Sequence, residues 1–390
     1  MSARPARVAV VIPLHNLRAF VGEAIESVLA QDLSPEAVEI VVVDDGSTDG
    51  GGEIARRFGP RVRCLAQPNR GLSAARNAGI QATVAPLVHF LDADDRLTPT
   101  ALGSLAAALD ASPEAGVAYT GVQCIDAAGR ALPQRGWPRA EGDVLAALVL
   151  GNLAPPHAML VRRAVLERVG GFDEALGPAA DWDLWLRVAR AGVRWVHVAR
   201  PLVEYRVRPG GMHRSAATMA AERVRVLDDV FADPALPAAA ATLRPLAWQN
   251  VYLINAAEHF QAGASDEGVR WFQAAVEVRP ALLDEPATLS TFCSWLLPMG
   301  YRTGTLLAGE WHHVLHVLCV ALAATPGHGA RHGRWTAWRT VLPYLRRRVR
   351  AAVLPGHSRR RLAEQRPRLA AFTAALETAT EGSRVERAAH

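Results

Sequence analysis

The sequence predicts an α/β fold, a mainly parallel sheet flanked by helices, followed by an all-helical C-terminal region. Three observations lead there. Short apolar, β-branched runs alternate four times with helix-periodic stretches before residue 111. Two of those runs end in clusters of acids, at the edge where open α/β sheets bind ligands. Beyond residue 216 strand patterns stop and Ala-rich helical spacing takes over.

The elements follow in order. Residues 8–13 (VAVVIP) are a continuous apolar run, the signature of a strand buried on both faces. In 20–31, Phe20, Val21, Ala24, Ile25, Val28 and Leu29 fall on one helix face. Residues 39–43 form a second strand, ended by Asp44-Asp45-Gly46, and Ser47, Thr48 or Asp49 can cap a helix running to about Phe58. A short strand at 62–66, a helix at 71–82, a strand at 87–91 and a helix at 98–110 complete the alternation. A strand at 116–120, a turn at 126–129, helices at 145–150, 163–169 and 179–191, and extended segments at 158–161, 193–198 and 202–206 come next.

Bulk composition narrows the classes. The 390 residues suffice for two or three domains. All 43 basic residues are Arg, which reads as coding bias, and the net charge is only +5. Cys64, Cys124, Cys293 and Cys319 are far apart and form no CxxC, which fits buried thiols in a reducing compartment. The first apolar run is too short for a signal-peptide core or a membrane span, and 314–325 reads as a buried helix. The basic excess lies late, with Arg334, Arg339, Arg346, Arg347, Arg348, Arg350, Arg359, Arg360 and Arg361 around Trp335, Trp338 and Tyr344. That stretch is either a solvated face or a surface that lies on anionic lipid. No nucleic-acid-binding module accompanies it.

The acids carry the chemistry. If the strand at 87–91 stays extended, Asp92 and Asp94 point the same way. They then form either a solvated turn or a seat for a hard divalent cation. The first strand-to-helix turn, Pro13-Leu14-His15-Asn16, lacks GxGxxG and GxxxxGK[ST], so neither dinucleotide nor phosphate-loop binding applies. Asp44 and Asp45 suit hydrogen-bond donors on a base or ribose. Asp181 and Asp183 stand in the first turn of a helix, where they favour its dipole or serve chemistry.

Seven motifs together resemble the family 2 glycosyltransferases, inverting enzymes with the GT-A fold. They are Val11-Ile12-Pro13-Leu14-His15-Asn16, Val43-Asp44-Asp45-Gly46-Ser47-Thr48-Asp49, the stretch from Asn69 to Gly79, Phe90-Leu91-Asp92-Ala93-Asp94-Asp95, Gly171-Phe172-Asp173-Glu174, Asp181-Trp182-Asp183-Leu184-Trp185-Leu186-Arg187, and Tyr205-Arg206 leading to His213. The resemblance covers roughly residues 7 to 215.

It implies a metal-dependent transfer of sugar from a nucleotide-diphosphate sugar, UDP- or dTDP-sugars first, to an acceptor hydroxyl. Cell-surface polysaccharide or glycoconjugate synthesis is the expected setting. By the resemblance, Asp45 accepts from the nucleotide base, with Pro13 and His15 as the other wall and Asp44 beside it. Arg76 lies on the nucleotide side, and Asn77 serves there or in packing. Asp92 contacts the ribose or a metal water, Asp94 binds Mn²⁺ or Mg²⁺ directly, and His213 completes the metal shell. Asp95 is expected as a loop contact. Asp181 is the catalytic base, although Ala180 replaces the acid that usually precedes it.

The expected organisation is a catalytic domain at 1–215, a linker or helix at 216–245 and a helical appendage at 246–390 with tetratricopeptide-like spacing and an Arg-rich end. The protein is expected in the cytoplasm or peripherally on the inner face of a membrane. Partners are the donor and a glycan, lipid-linked or protein acceptor, with no nucleic acid. A nucleotidyltransferase would need a Gly-rich basic loop after the first strand, which Leu14-His15-Asn16 does not supply. A catalytically degenerate domain acting as a glycan binder or scaffold is the alternative.

Overall fold

In a computed structural model of the chain, the described residues are 6–132, 138–208, 216–296, 317–318, 320–322 and 324–325. The chain divides into two compact units, 1–255 and 256–390.

The first unit is built on one eight-stranded sheet in the order β3-β2-β1-β4-β7-β6-β8-β5. β1 (Val8–Leu14) lies between β2 (Val38–Asp45) and β4 (Leu87–Phe90), parallel to both, with β3 (Val62–Gln67) parallel outside β2. All seven residues of β1 are buried, which is why its sequence shows no alternation. The other half of the sheet is mixed. β7 (Met159–Arg162) runs antiparallel to β4 and to β6 (Ala115–Ile125). β8 (Arg194–Arg206) is parallel to β6, and the short β5 (Arg96–Leu97) is antiparallel to β8. The segments expected at 193–198 and 202–206 are thus one strand. Pro201 falls at a register shift against Gly121, so the missing N–H is absorbed without ending the ladder.

Helices cover both faces. α1 (Val21–Leu29) and α4 (Ala101–Ala111) pack with Val10, Ile12 and Val42 on one side. α2 (Gly51–Arg56) and α3 (Leu72–Ala82) follow β2 and β3. A Cβ on Gly79 of α3 would lie 2.1 Å from a Val11 methyl, so only glycine lets this helix rest on β1. α5 (Leu145–Leu150), α6 (Arg163–Val169) and α7 (Ala180–Arg190) join Val11, Phe90 and Tyr119 in the other core. α8 (Ala216–Ala232), α9 (Ala238–Ala241) and the first turns of α10 (Arg244–Gln261) add Met219, Val226, Leu227, Val230, Ala240 and Val251 to that same core.

In the second unit, α11 (Ser265–Val278) and α12 (Pro286–Trp295) bury Phe272 and Phe292, whose ring centroids are 5.2 Å apart. The Arg-rich stretch 334–361 lies outside the described residues, while in the helix expected at 314–325 the described residues 317–318 and 320–322 are helical. Among the described residues no helix is long and apolar enough to cross a membrane.

The topology decides what meets at one sheet edge. Parallel β1, β2 and β4 end on the same side, which aligns His15, Asp45 and Asp92. Because β7 is antiparallel to β4, it begins where β4 ends, with His89 opposite Leu160. The residues just before β7, His157 among them, therefore stand beside Asp92. β5 pairs Arg96 with Glu204, which brings the end of β8 to the same place.

Candidate active site

The end of β2 is a turn held by its own acids. Asp44 Oδ1 accepts the Ser47 N–H at 3.0 Å. Asp45 Oδ1 accepts from Gln67 Nε2 and the Arg70 N–H, both at 2.8 Å, and Oδ2 accepts the Gly71 N–H at 2.9 Å. Asp45 thus fixes the loop that opens α3 and keeps about one acceptor position of a carboxylate's four. His15 Nδ1 lies 2.8 Å from the Asp45 carbonyl oxygen, and Asn16 Oδ1 accepts the Thr48 N–H at 2.8 Å. Pro13 sits opposite Val43 in the ladder.

Past β4 the chain does not stay extended. The Asp95 N–H donates to the Asp92 carbonyl at 3.0 Å, a tight turn that swings Asp95 rather than Asp94 toward Asp92. Asp92 Oδ1 accepts from Arg76 Nη2 at 2.6 Å, and the guanidinium lies 5.1 Å from the centre of the Phe172 ring. Burial alone would raise the Asp92 pKa. Arg76 and then His157 outweigh it and hold the carboxyl well below the usual range.

Asp95 and His157 are both buried, 1% and 0% exposed, with Asp95 Oδ2 3.1 Å from His157 Nδ1. Burial pushes Asp95 up to about 8, with Asp94 and Asp92 adding to it. For His157, burial favours the neutral ring, but Asp95 and Asp92 overcome it and its pKa is raised. The pair therefore holds a proton past neutrality when no other cation is there. His157 also stacks on Tyr205, ring centres 5.2 Å apart.

Asp94 Oδ2 accepts from Arg208 Nε at 2.6 Å. Arg206 ties the turn to β8: its N–H donates to Asp95 Oδ1 and its Nε to the Asp94 carbonyl, both at 2.7 Å. Asp94 and His213 were the expected metal ligands. Asp94 is ion-paired to Arg208, and His213 lies outside the described residues.

The ligand atoms that converge are those of Asp92, Asp95 and His157, all within 4.8 Å of one another. Asp95 Oδ2, His157 Nδ1 and His157 Nε2 are buried with no hydrogen bond of good geometry. Two carboxylate oxygens and an imidazole nitrogen fit a small divalent cation, which would satisfy the facing Asp95 and His157 atoms.

On the other side, Asp181 stands in the first turn of α7. Its Oδ1 accepts the Trp182 N–H at 2.7 Å, and its Oδ2 accepts from Asn152 Nδ2 at 2.8 Å. Burial raises its pKa against the pull of Arg76 and Asn152. Ala180 is fully buried in the apolar core and offers no second acid. Asp183 is taken by Arg187 at 2.6 Å, which also donates to the Val169 and Gly171 carbonyls. Asn77 latches α3 to Phe172, donating to its carbonyl and accepting its N–H at 2.9 Å each, the packing role. An open cleft between α3, α6 and α7 is lined by Asn77, Asp183 and Arg187, but by none of Asp92, Asp95 and Asp181.

The sequence points to the loop from Asn152 to Met159 as acceptor-side lining and to Arg206 as part of a motif; the contacts of Asn152, His157 and Arg206 with the site acids, and Arg208 altogether, were not foreseen. No local pattern marks these contacts, because each residue reaches the site through a strand pairing or helix contact distant in the chain.

A family model described as "Glycosyl transferase family 2" matches residues 9–170. An uncharacterized glycosyltransferase of Nostoc sp. is 30% identical over 233 residues, 56% of this chain and 70% of that protein. The succinoglycan biosynthesis protein ExoU of Rhizobium meliloti is 33% identical over 215 residues, 50% of this chain, and the chain spans only 60% of ExoU's length. The structure of S. aureus TarS 1-349 in complex with UDP-GlcNAc superposes with a TM-score of 0.52 at 20% identity, covering 87% of this chain and 92% of that one, a likeness of fold. With the GT-A-like sheet described above and these matches, the chain belongs to glycosyl transferase family 2.

Proposed function

We propose that the chain is a metal-dependent, inverting glycosyltransferase that moves a sugar from a UDP- or dTDP-sugar to an acceptor hydroxyl in cell-surface polysaccharide or glycoconjugate synthesis. The observation that carries the reading is the half-buried Asp181 carboxylate, both oxygens held by hydrogen bonds and raised in pKa by desolvation, with Arg76 acting on both it and Asp92. A carboxylate whose pKa is moved up toward neutrality suits proton abstraction.

In the proposed reaction Asp181 takes the proton of the acceptor hydroxyl. The freed oxygen attacks the anomeric carbon, the bond to the diphosphate oxygen breaks, and the electron pair leaves with the nucleotide. Attack opposite the leaving group inverts the centre. General-base help contributes about 10²–10⁴-fold, and alignment supplies the remainder. Asp92, Asp95 and His157 would hold Mn²⁺ or Mg²⁺, with Asp94 and His213 as further candidates. Such an ion, when bound, neutralises charge on the diphosphate. Arg76 keeps Asp92 ionised for that task.

Pro13, His15, Asp44 and Asp45 form the proposed base-binding wall. The acceptor position left on Asp45 suits the ring N–H of uracil or thymine. The UDP-GlcNAc bound by TarS and the succinoglycan role of ExoU favour this donor class and pathway type. A cytoplasmic location with peripheral membrane contact through the Arg-rich stretch 334–361 completes the proposal.

A thermal-shift panel of nucleotide sugars with and without Mn²⁺, followed by nucleotide release, tests it. Asp181→Asn is expected to keep donor-induced stabilisation and lose turnover. Normal turnover in that variant removes the base assignment. Donor binding with no release from any nucleotide sugar by the unaltered protein would favour a scaffold.

A further inference from the structure

The corner that carries Asp181 is tied from two directions. Trp182, the next residue, donates its indole N–H to the Leu148 carbonyl at 2.7 Å, joining α7 to the last turn of α5. Asn250 Nδ2 donates to the Leu150 carbonyl at 3.0 Å, fixing that turn from α10. Asn152 follows immediately and donates from Nδ2 to Asp181 Oδ2 at 2.8 Å. With the Trp182 N–H on Oδ1, both carboxylate oxygens are held and the plane of the group is set.

The other end of the amide is informative. Asn152 Oδ1 is buried and has no hydrogen-bond partner. A buried carbonyl without a donor costs stability, so this side chain is a poor device for holding the fold. Such groups are retained where they serve a site. The methyl of Ala180, inside the apolar core, gives Asp181 no side-chain partner.

We infer that Asn152 is a positioning residue for Asp181: its amide N–H fixes the carboxylate's rotation, leaving the oxygens' remaining lone pairs aimed at the acceptor hydroxyl. This rests on Asp181 being the base. The amide also stabilises the charged form of Asp181, so its removal raises that group's pKa further. The other charges acting on Asp181 are Arg76, which lowers its pKa, and Asp92, which raises it; neither changes when Asn152 is replaced.

The test uses the full chain with Mn²⁺ and a panel of UDP-sugars, reading UDP release, its pH profile and the melting temperature. Asn152→Ala takes the donor from Asp181 Oδ2 but also removes the unpartnered Asn152 Oδ1, so its melting temperature should change little, and it should bind UDP equally well. Its turnover should fall by about 10²-fold, the scale of a misplaced group. The acid limb of its pH profile should move to higher pH. Asn152→Asp, which keeps the shape but loses the donor, should be at least as impaired. Asp181→Asn separates the two layers of the argument. If Asp181→Asn is inactive while Asn152→Ala keeps normal turnover and an unmoved pH profile, the inference fails and the base stands. If Asn152→Ala loses activity only in proportion to a lowered melting temperature, the residue is structural and the inference is overturned. If Asp181→Asn is fully active, or the unaltered protein releases UDP from none of the panel, base and positioning residue fall together.

Discussion

Replacing Arg76 by Gln removes the cation that Asp92 was buried against. The pair is close, 2.6 Å, with Arg76 3% and Asp92 20% exposed at the side chain. Breaking a buried pair by removing one partner costs about 3–5 kcal/mol, since the remaining charge is uncompensated. The partial exposure of Asp92 and its second partner, His157, put the expected loss near the lower end, about 3 kcal/mol at pH 8. The sign with pH follows from the direction of the Asp92 shift. Its folded pKa is depressed, so its contribution is present above the unfolded carboxylate range of about 4 and is lost as pH falls through the folded value. Without Arg76 the largest influence favouring ionisation is gone, and the Asp92 pKa rises. The variant then takes up a proton at a pH where the unaltered protein does not. Its deficit should therefore shrink from pH 8 to pH 5. Urea unfolding of both proteins at pH 5, 6.5 and 8 measures this. A deficit under about 1 kcal/mol at pH 8, the scale of an exposed pair, or one that does not change with pH, would refute the argument that Arg76 keeps Asp92 charged.

Asp95→Asn tests the converging trio. The Asp95–His157 couple keeps its proton in the folded protein, with Asp95 raised to about 8, while the unfolded carboxyl ionises near pH 4, so stability falls across that window as pH rises. Asparagine keeps the oxygen that accepts the Arg206 N–H and never ionises. Without metal, the variant should melt higher than the unaltered protein at pH 7.5, and Mn²⁺ should no longer raise its melting temperature. A retained Mn²⁺ shift would move the metal away from Asp95. Gly79→Ala tests the seating of α3: its new methyl would meet Val11 at 2.1 Å, and overpacking of this kind costs about 1–3 kcal/mol. Urea unfolding reads the loss, and since α3 carries Arg76, donor-induced thermal shift should weaken with it.

The parallel half of the sheet was legible because its signals are local. A strand buried on both faces writes itself as VAVVI, and the helix after it repeats its apolar residues every three or four positions. The positions of Asp44, Asp45, Asp92 and Asp181 at element ends were readable for the same reason. What those groups do with each other was not. Extending strand alternation past Leu91 pairs Asp92 with Asp94, whereas the Asp92–Asp95 turn hands that place to Asp95. The reversal of β7 then brings a histidine from 65 positions further along the chain against the same carboxylates, and β8 returns Arg206 and Arg208 to the turn, facts set by strand order rather than by any window of residues. The consequence is chemical. Each partly buried acid in the expected metal seat has acquired an arginine: Asp92 from α3, Asp94 from just past the end of β8. The unpaired ligand atoms left over belong to the deepest pair, Asp95 and His157. A cation arriving at this edge meets two carboxylates already balanced and one buried couple that holds a proton in its place. Metal binding there must release that proton, so affinity for Mn²⁺ should rise with pH through the neutral range, on the side where the couple gives its proton up most readily.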